Sequence, residues 1–313
     1  MLENLIISIE AVLPMFLIIF LGILIRKKGY WNENDAKKAN KIVFNFCFPC
    51  LMFCNLYGTD IEEAVDLKMI VYAVLMVLVI CAITALFVMK IEKNNKSRGA
   101  MVQAIYRSNF VIMGLPIVRN IFNGGDIGIT TVAITVIVPL YNILAVIILE
   151  LYRGKRPELK RVLINIVKNP LIIGAVAGIL VTAADITLPI FLFNTIESLK
   201  NLTTPFALIV LGASLNRMSI EKCKRNLVIC LIGRLIVVPA IGLSVAVFIG
   251  IRGVGFVTLI ALFASPVGVS SYPMAVQMDS DGELAGNCVV FSSIFATVTM
   301  FLWIFIFKTL EIF

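Results

Sequence analysis

The sequence predicts an all-α polytopic membrane protein: ten transmembrane helices in two inverted five-helix repeats, with helices four and nine broken and crossing. Three observations lead there. The 313 residues are 60% hydrophobic and only 15% charged, with a mean hydropathy of +1.01, whereas a soluble domain carries roughly 25% charge. Apolar runs recur at close to the ~20 residues that cross a bilayer. A proline and glycine pattern also repeats at one offset, half a chain apart.

Apolar runs place spans at about residues 5–25, 42–57, 68–89, 99–122, 127–151, 162–183, 189–216, 227–250, 254–277 and 284–308. The first, Leu5 to Ile25, is too long and uniform for a signal-peptide core and lacks a small-residue cleavage site, so it reads as a span. The loops alternate in charge. Lys and Arg number six in 26–41, four in 90–98, six in 153–168 and four in 217–225, which is 20 of the 27 in the chain. The positive-inside rule puts these loops in the cytoplasm and both termini outside, in a multi-pass protein of the cytoplasmic membrane. The last inner loop, QMDSDGE, breaks the pattern with no basic residue.

The repeat has an offset of 156 residues. Pro14 with Gly22-Ile23-Leu24 matches Pro170 with Gly178-Ile179-Leu180, Pro49 matches Pro205, and Asn109 matches Ser265 beside Pro266. Five spans per half is an odd number, so the second half inserts upside down. The boundaries expected are 1–151 for the first repeat, 152–161 for a short cytoplasmic connector and 162–313 for the second repeat.

Spans four and nine carry the chemistry. In Tyr106 to Phe122 (YRSNFVIMGLPIVRNIF), Pro116 removes a backbone donor and Gly114 lowers helix propensity, so a break is expected around them. Ala264 to Met278 (ASPVGVSSYPMAVQM) repeats the plan with Pro266, Gly268 and Pro273. Hydrocarbon offers no partner to a freed N–H or C=O, so broken backbone survives only against protein or a wet cavity. Paired interrupted spans point to a transporter's binding site. Arg107 offers a cation for a carboxylate, or snorkels to the headgroups; Arg234, with nothing broken around it, leans to snorkelling. Ser265, Ser270 and Ser271 offer hydroxyls to a substrate, or bond back to their own helices.

Other chemistry is excluded. The chain has no histidine, no metal-ligand cluster and no nucleophile–base motif, so neither an enzyme nor a cofactor or metal site is expected. Cys47-Phe-Pro-Cys50 has redox spacing without the βαβ context that would give it meaning, and reads as helix packing. A net charge of +8 is explained by topology, not nucleic acid.

Four stretches carry a family resemblance. These are Asn169-Pro170-Leu-Ile-Ile-Gly174 with Gly178, Pro205 to Leu215 (PFALIVLGASL), Arg107-Ser-Asn109 through Gly114-Leu115-Pro116, and Ala264-Ser-Pro266 through Tyr272-Pro273. In order and across the whole chain they resemble the auxin efflux carrier family. Its members include the plant PIN-type auxin exporters and bacterial malate and malonate transporters, and its inverted-repeat fold is like that of the bile-acid/sodium symporters. The resemblance implies elevator-like alternating access and a small organic anion held at a proline crossover. Asn109 would contact the substrate there, with Pro116, Pro266 and Pro273 shaping the crossover. The chain lacks the long central loop of the plant carriers, and Leu171 stands where they tend to have a polar residue. The partners implied are the anion and the lipid bilayer, with a homodimer common among proteins of related fold. The competing functions are an anion channel, a sodium- or proton-coupled symporter of the same fold, and a membrane receptor without flux.

Overall fold

The computed structural model describes residues 2–58, 66–122, 128–153, 159–215 and 219–313. The acidic loop at 59–65 and the middle of the connector, 154–158, lie outside them.

Helices follow from the sequence with local caps that can be named. α1 (Leu2–Lys27) is followed by the polar α2 (Glu33–Ile42). The Asn32 side chain accepts from the Asn34 and Asp35 amides while Asp35 accepts from the Asn32 amide, a reciprocal cap at the start of α2. A π-helical turn (Val43–Cys47) leads into α3 (Phe48–Cys54). α4 (Leu67–Ile91), α5 (Asn95–Tyr106), α6 (Phe110–Ile121) and α7 (Gly128–Leu151) follow. Asp66 caps α4 and Asn94 caps α5 through the amides of Met69 and Lys96.

The second half begins with α8 (Leu159–Val167) and α9 (Pro170–Ala183), where Asn169 caps and Pro170 takes the first helical position. α10 (Ile190–Ser214) and α11 (Ser219–Ile232) come next, then a second π-helical turn (Gly233–Val237) and α12 (Val238–Ile249). Gly250, at φ +84°, closes α12 in the left-handed region. α13 (Gly253–Ala264), α14 (Ser271–Gln277) and α15 (Gly282–Thr309) complete the chain.

Leu67–Ile91, Gly128–Leu151, Cys223–Ile249 and Gly282–Thr309 are each long and apolar enough to span a bilayer, and Pro170–Ala183 and Gly253–Ala264 are shorter apolar helices. The protein is a multi-pass, all-helical membrane protein among the described residues.

Two seams of close backbone contact hold α1 against α10 and α3 against α9. A Cβ on Gly22 would overlap the Ile209 carbonyl, and one on Gly212 would overlap the Ile19 carbonyl. On the other seam a Cβ on Gly174 would meet the backbone of Pro49, and one on Gly178 would lie 2.7 Å from the Phe53 carbonyl oxygen. The two seams are related by the sequence offset: 156 residues separate Gly22 from Gly178, and also Phe53 from Ile209 (178 − 22 and 209 − 53). Without a hydrophobic force between helices in lipid, such approach is what holds them together.

Gly22→Val and Gly178→Val are therefore each expected to destabilise the detergent-purified protein by about 3 kcal/mol or more, beyond ordinary overpacking because the obstacle is backbone. A melting curve unchanged by either would show that the seam can open at no cost.

Candidate substrate site at the helix crossover

The fourth and ninth spans are both broken, and the breaks meet. α5 ends at Tyr106 and α6 begins at Phe110, leaving Arg107, Ser108 and Asn109 outside either helix. α13 ends at Ala264 and α14 begins at Ser271, leaving residues 265–270 extended or turned. Ser108 and Val267 form an antiparallel bridge. The Asn109 amide donates to the Pro266 carbonyl at 2.8 Å and the Gly268 amide to the Arg107 carbonyl at 3.4 Å. Backbone that leaves the helical ladder thus finds partners in the opposite chain.

The break in span four lies at 107–109, not around Gly114 and Pro116. Both of those sit inside α6, and Pro116 is exposed, seven residues past the gap. Neighbours in a bilayer re-satisfy what a proline frees, so its local cost does not fix where the helix stops. Pro266 and Gly268 do lie in the gap of the ninth span. At Gly268 a Cβ would come 3.1 Å from the Ser108 carbonyl oxygen. Pro273 is the third residue of α14, in the first turn, where a helix tolerates proline.

Arg234 closes the crossover from behind. It is fully buried on the second π-helical turn, and its guanidinium makes five bonds, all to main-chain carbonyls. Nε donates to Ser265 at 2.8 Å, and Nη1 to Ile105 and Tyr106 at 3.3 and 3.1 Å. Nη2 donates to Leu262 and Phe263 at 2.9 and 2.6 Å. The acceptors are the last carbonyls of α5 and α13, so one cation caps two helix C-termini and offsets two negative dipole ends. This replaces the snorkelling role expected for Arg234.

Arg107 points the other way and is 3% exposed. Nη1 donates to Met274 Sδ at 2.9 Å, and Nη2 donates to Ser270 Oγ at 2.6 Å and to Asn142 Oδ1. Its partners are neutral, and among the described residues no carboxylate lies within ion-pair distance of it. It does not reach a headgroup.

A cavity of about 130 Å³ opens on this side. Arg107, Ser108, Asn109, Gly268 and Ser270 form one wall together with Asn142 and Tyr141 of α7. Asn55, just past α3, and Lys200, Thr204 and Ala207 of α10 form the other. Asn109 precedes α6 without capping it by its side chain, and its Nδ2 lies 3.7 Å from Met15 Sδ. The first turn of α6 therefore presents its N-terminal end to the cavity.

Of the residues singled out in the sequence, Arg107, Asn109, Gly268 and Ser270 come together here. Ser265 does not join them: its hydroxyl bonds back to the Ala261 carbonyl and it is fully buried. Ser271 is buried in the first turn of α14 and is not part of the cavity wall. Sequence reasoning missed Asn142 and Lys200. A lone amide three residues after Pro139 in an apolar span was the available signal for the first. Lys200 falls outside the four basic loops and sits well inside α10, where sequence alone gave it no role.

Cys47 and Cys50 are unbonded thiols on the π-helical turn and α3, and the Cys47 carbonyl accepts from Thr203 Oγ1 at 3.1 Å. Their place is helix packing between α3 and α10.

Comparison with known proteins places the chain among membrane transporters. A family model described as membrane transport protein matches residues 7–304. An uncharacterized transporter of Methanothermobacter thermautotrophicus is 23% identical over 305 residues, covering 95% of this chain and 97% of that protein. An uncharacterized transporter of Methanocaldococcus jannaschii is 22% identical over 308 residues, covering 95% and 98%.

Removing the Arg234 guanidinium strands five carbonyls at bilayer depth. Arg234→Gln is expected to cost about 3–5 kcal/mol, seen as a lower melting temperature and poor monodispersity in detergent. Arg234→Lys should not restore it, since an ammonium has three donors and no planar fork. Wild-type melting in both variants would mean the crossover is held by its backbone pairing alone.

Proposed function

Because this chain belongs to the membrane transport protein family, the auxin efflux carrier group its motifs resemble, we propose that it is a secondary carrier for a small organic anion, a mono- or dicarboxylate, held at the crossover and moved by elevator-like alternating access. A transporter, not an enzyme, is what the family and both archaeal relatives describe.

The observation that carries the anion reading is Arg107. A buried guanidinium is costly, about 2.5–3.5 kcal/mol on insertion scales, and with no carboxylate paired to it among the described residues an anionic ligand would serve as its counter-ion. Ser270 and Asn142 take both Nη2 hydrogens and Met274 one of Nη1, leaving Nε and one Nη1 hydrogen to make single charge-assisted bonds to a carboxylate. Lys200, half-buried on the facing wall, adds a second positive charge. Asn109 supplies an amide and the first turn of α6 its dipole. Ser265 and Ser271, by their placement, support the crossover and not the ligand.

Elevator motion is supported by where the cavity lies. α1, α3, α9 and α10 pack on one another through the glycine seams, while α4 to α7 and α11 to α15 pack around the crossover. The cavity is bounded by α3 and α10 on one side and by the crossover on the other, so sliding one group past the other would change its access.

The inverted repeat is supported by the offset: α1 and α9 end 156 residues apart, at Lys27 and Ala183, and so do α6 and α14, at Ile121 and Gln277. With the basic loops inside and both termini outside, an inside-negative potential would drive anion export by about 2.3 kcal/mol per charge per 100 mV.

Purified protein in liposomes is expected to show saturable carboxylate flux. Arg107→Gln should lower it about 10- to 100-fold by loss of a charge-assisted bond, and Asn109→Ala about tenfold. Lys200→Gln should raise KM about fivefold with little change in maximal rate. Flux indifferent to Arg107→Gln would sink the anion site, and non-saturating currents would make the protein a channel.

A further inference from the structure

On the opposite face of the crossover, away from the substrate cavity, an apolar trough of about 480 Å³ runs between α4 and the α11–α12 pair. Val79, Ile83, Phe87, Ile232 and Ile241 form its exposed rims, so it opens where the chain meets lipid. Its floor is Ile105 of α5 and Gly233, and a Cβ on Gly233 would come within 3.1 Å of the Ile105 side chain. Apart from Thr84, every side chain in it is hydrocarbon or thioether.

We propose that this trough holds one acyl chain of an anionic phospholipid whose phosphate is bound by Lys90 and Arg225. The helical stripes that line the trough run on to these two cations. Lys90 lies seven residues after Ile83 and three after Phe87, and Arg225 lies four before Ile229, so each falls on the trough-facing side of its helix. At 1.5 Å per residue their Cα atoms stand within about 6 Å of the trough's end, well inside the reach of either side chain.

Both cations are exposed, and Arg225 is held at Ile91, the residue after Lys90. Arg225 Nη2 donates to the Ile91 carbonyl at 3.4 Å, and Asn226 Nδ2 donates to Glu92 Oε2 at 2.6 Å, tying the end of α4 to the middle of α11. Glu92 is occupied further by the Lys93 and Asn94 amides, at 2.8 Å each. Lys93 and Lys224 add positive charge at the same level, and Glu221 is the other carboxylate there.

A hydrocarbon slot ending in a pair of cations at the water boundary matches a molecule with an apolar tail and an anionic head. A second copy of the chain would bring like charge to that end. The bound chain packs on Ile105, whose carbonyl is one of the five that Arg234 holds, so the lipid braces the crossover from the side opposite the substrate.

The test is lipid binding to the detergent-purified full chain, followed by native mass spectrometry and by thermal shift. Phosphatidylglycerol is compared with phosphatidylcholine and with inorganic phosphate. Two cations, each contributing a factor of about five toward an anionic surface, predict a preference of about twenty-five-fold for phosphatidylglycerol. The Lys90→Gln/Arg225→Gln double variant should lose that preference while melting normally without lipid. Ile83→Trp, which fills the trough from an exposed position, should weaken phosphatidylglycerol binding with the cations intact.

Equal binding of the two lipids would overturn the proposal and leave annular lipid only. So would a preference that survives the double variant, binding untouched by Ile83→Trp, or stabilisation by inorganic phosphate equal to that by the lipid.

Discussion

The structure depends on how a chain can interrupt two helices in hydrocarbon without stranding backbone groups. Each unpartnered N–H or C=O there costs several kcal/mol. The gaps at 107–109 and 265–270 meet this constraint by pairing with each other, through the Ser108–Val267 bridge and its flanking bonds. The carbonyls left at the ends of α5 and α13 go to Arg234. Neither gap is self-sufficient, which explains why both must occur and why they must touch.

That solution sorts the electrostatics. The negative ends of α5 and α13 face Arg234 on one side of the crossover. On the other side lie the N-terminal end of α6, Arg107 and Lys200, all positive in effect. A guanidinium sequestered among carbonyls is a structural cation, because each of its N–H groups is engaged. Arg107, held by a hydroxyl, an amide oxygen and a thioether, keeps most of its charge uncompensated. The two arginines are both buried at one crossover and differ in what their donors meet.

This division also explains what could be read from the sequence. Composition, loop charge and the 156-residue offset identify a membrane protein with paired irregular spans, because they depend on periodicity and burial alone. The position of the break in span four could not be read that way. Gly114 and Pro116 have the strongest local signal against a helix, yet α6 runs through both. The gap falls three residues upstream of Phe110, where partners 128 and more residues away supply the bonds a helix would have made. Arg234 was obscure for the same reason: its acceptors lie 28 to 129 residues distant, and its own neighbourhood in sequence looks unbroken. Ser265 shows the converse, a hydroxyl at the first position of the gap that bonds back to Ala261 of α13 and is lost to the cavity.

The glycine seams add the last constraint. Where Gly22 meets Ile209 and Gly178 meets Phe53, backbone touches backbone with no side chain between to slide or repack. Such contacts are nearly incompressible, so they tie α1 to α10 and α3 to α9. The cavity beside the crossover is walled differently: α3 and α10 face the crossover there across polar side chains and open space. A displacement of the crossover group would therefore be taken up at that boundary, where Arg107 and Lys200 look across at one another and a ligand bridging them would join the two groups while it is bound.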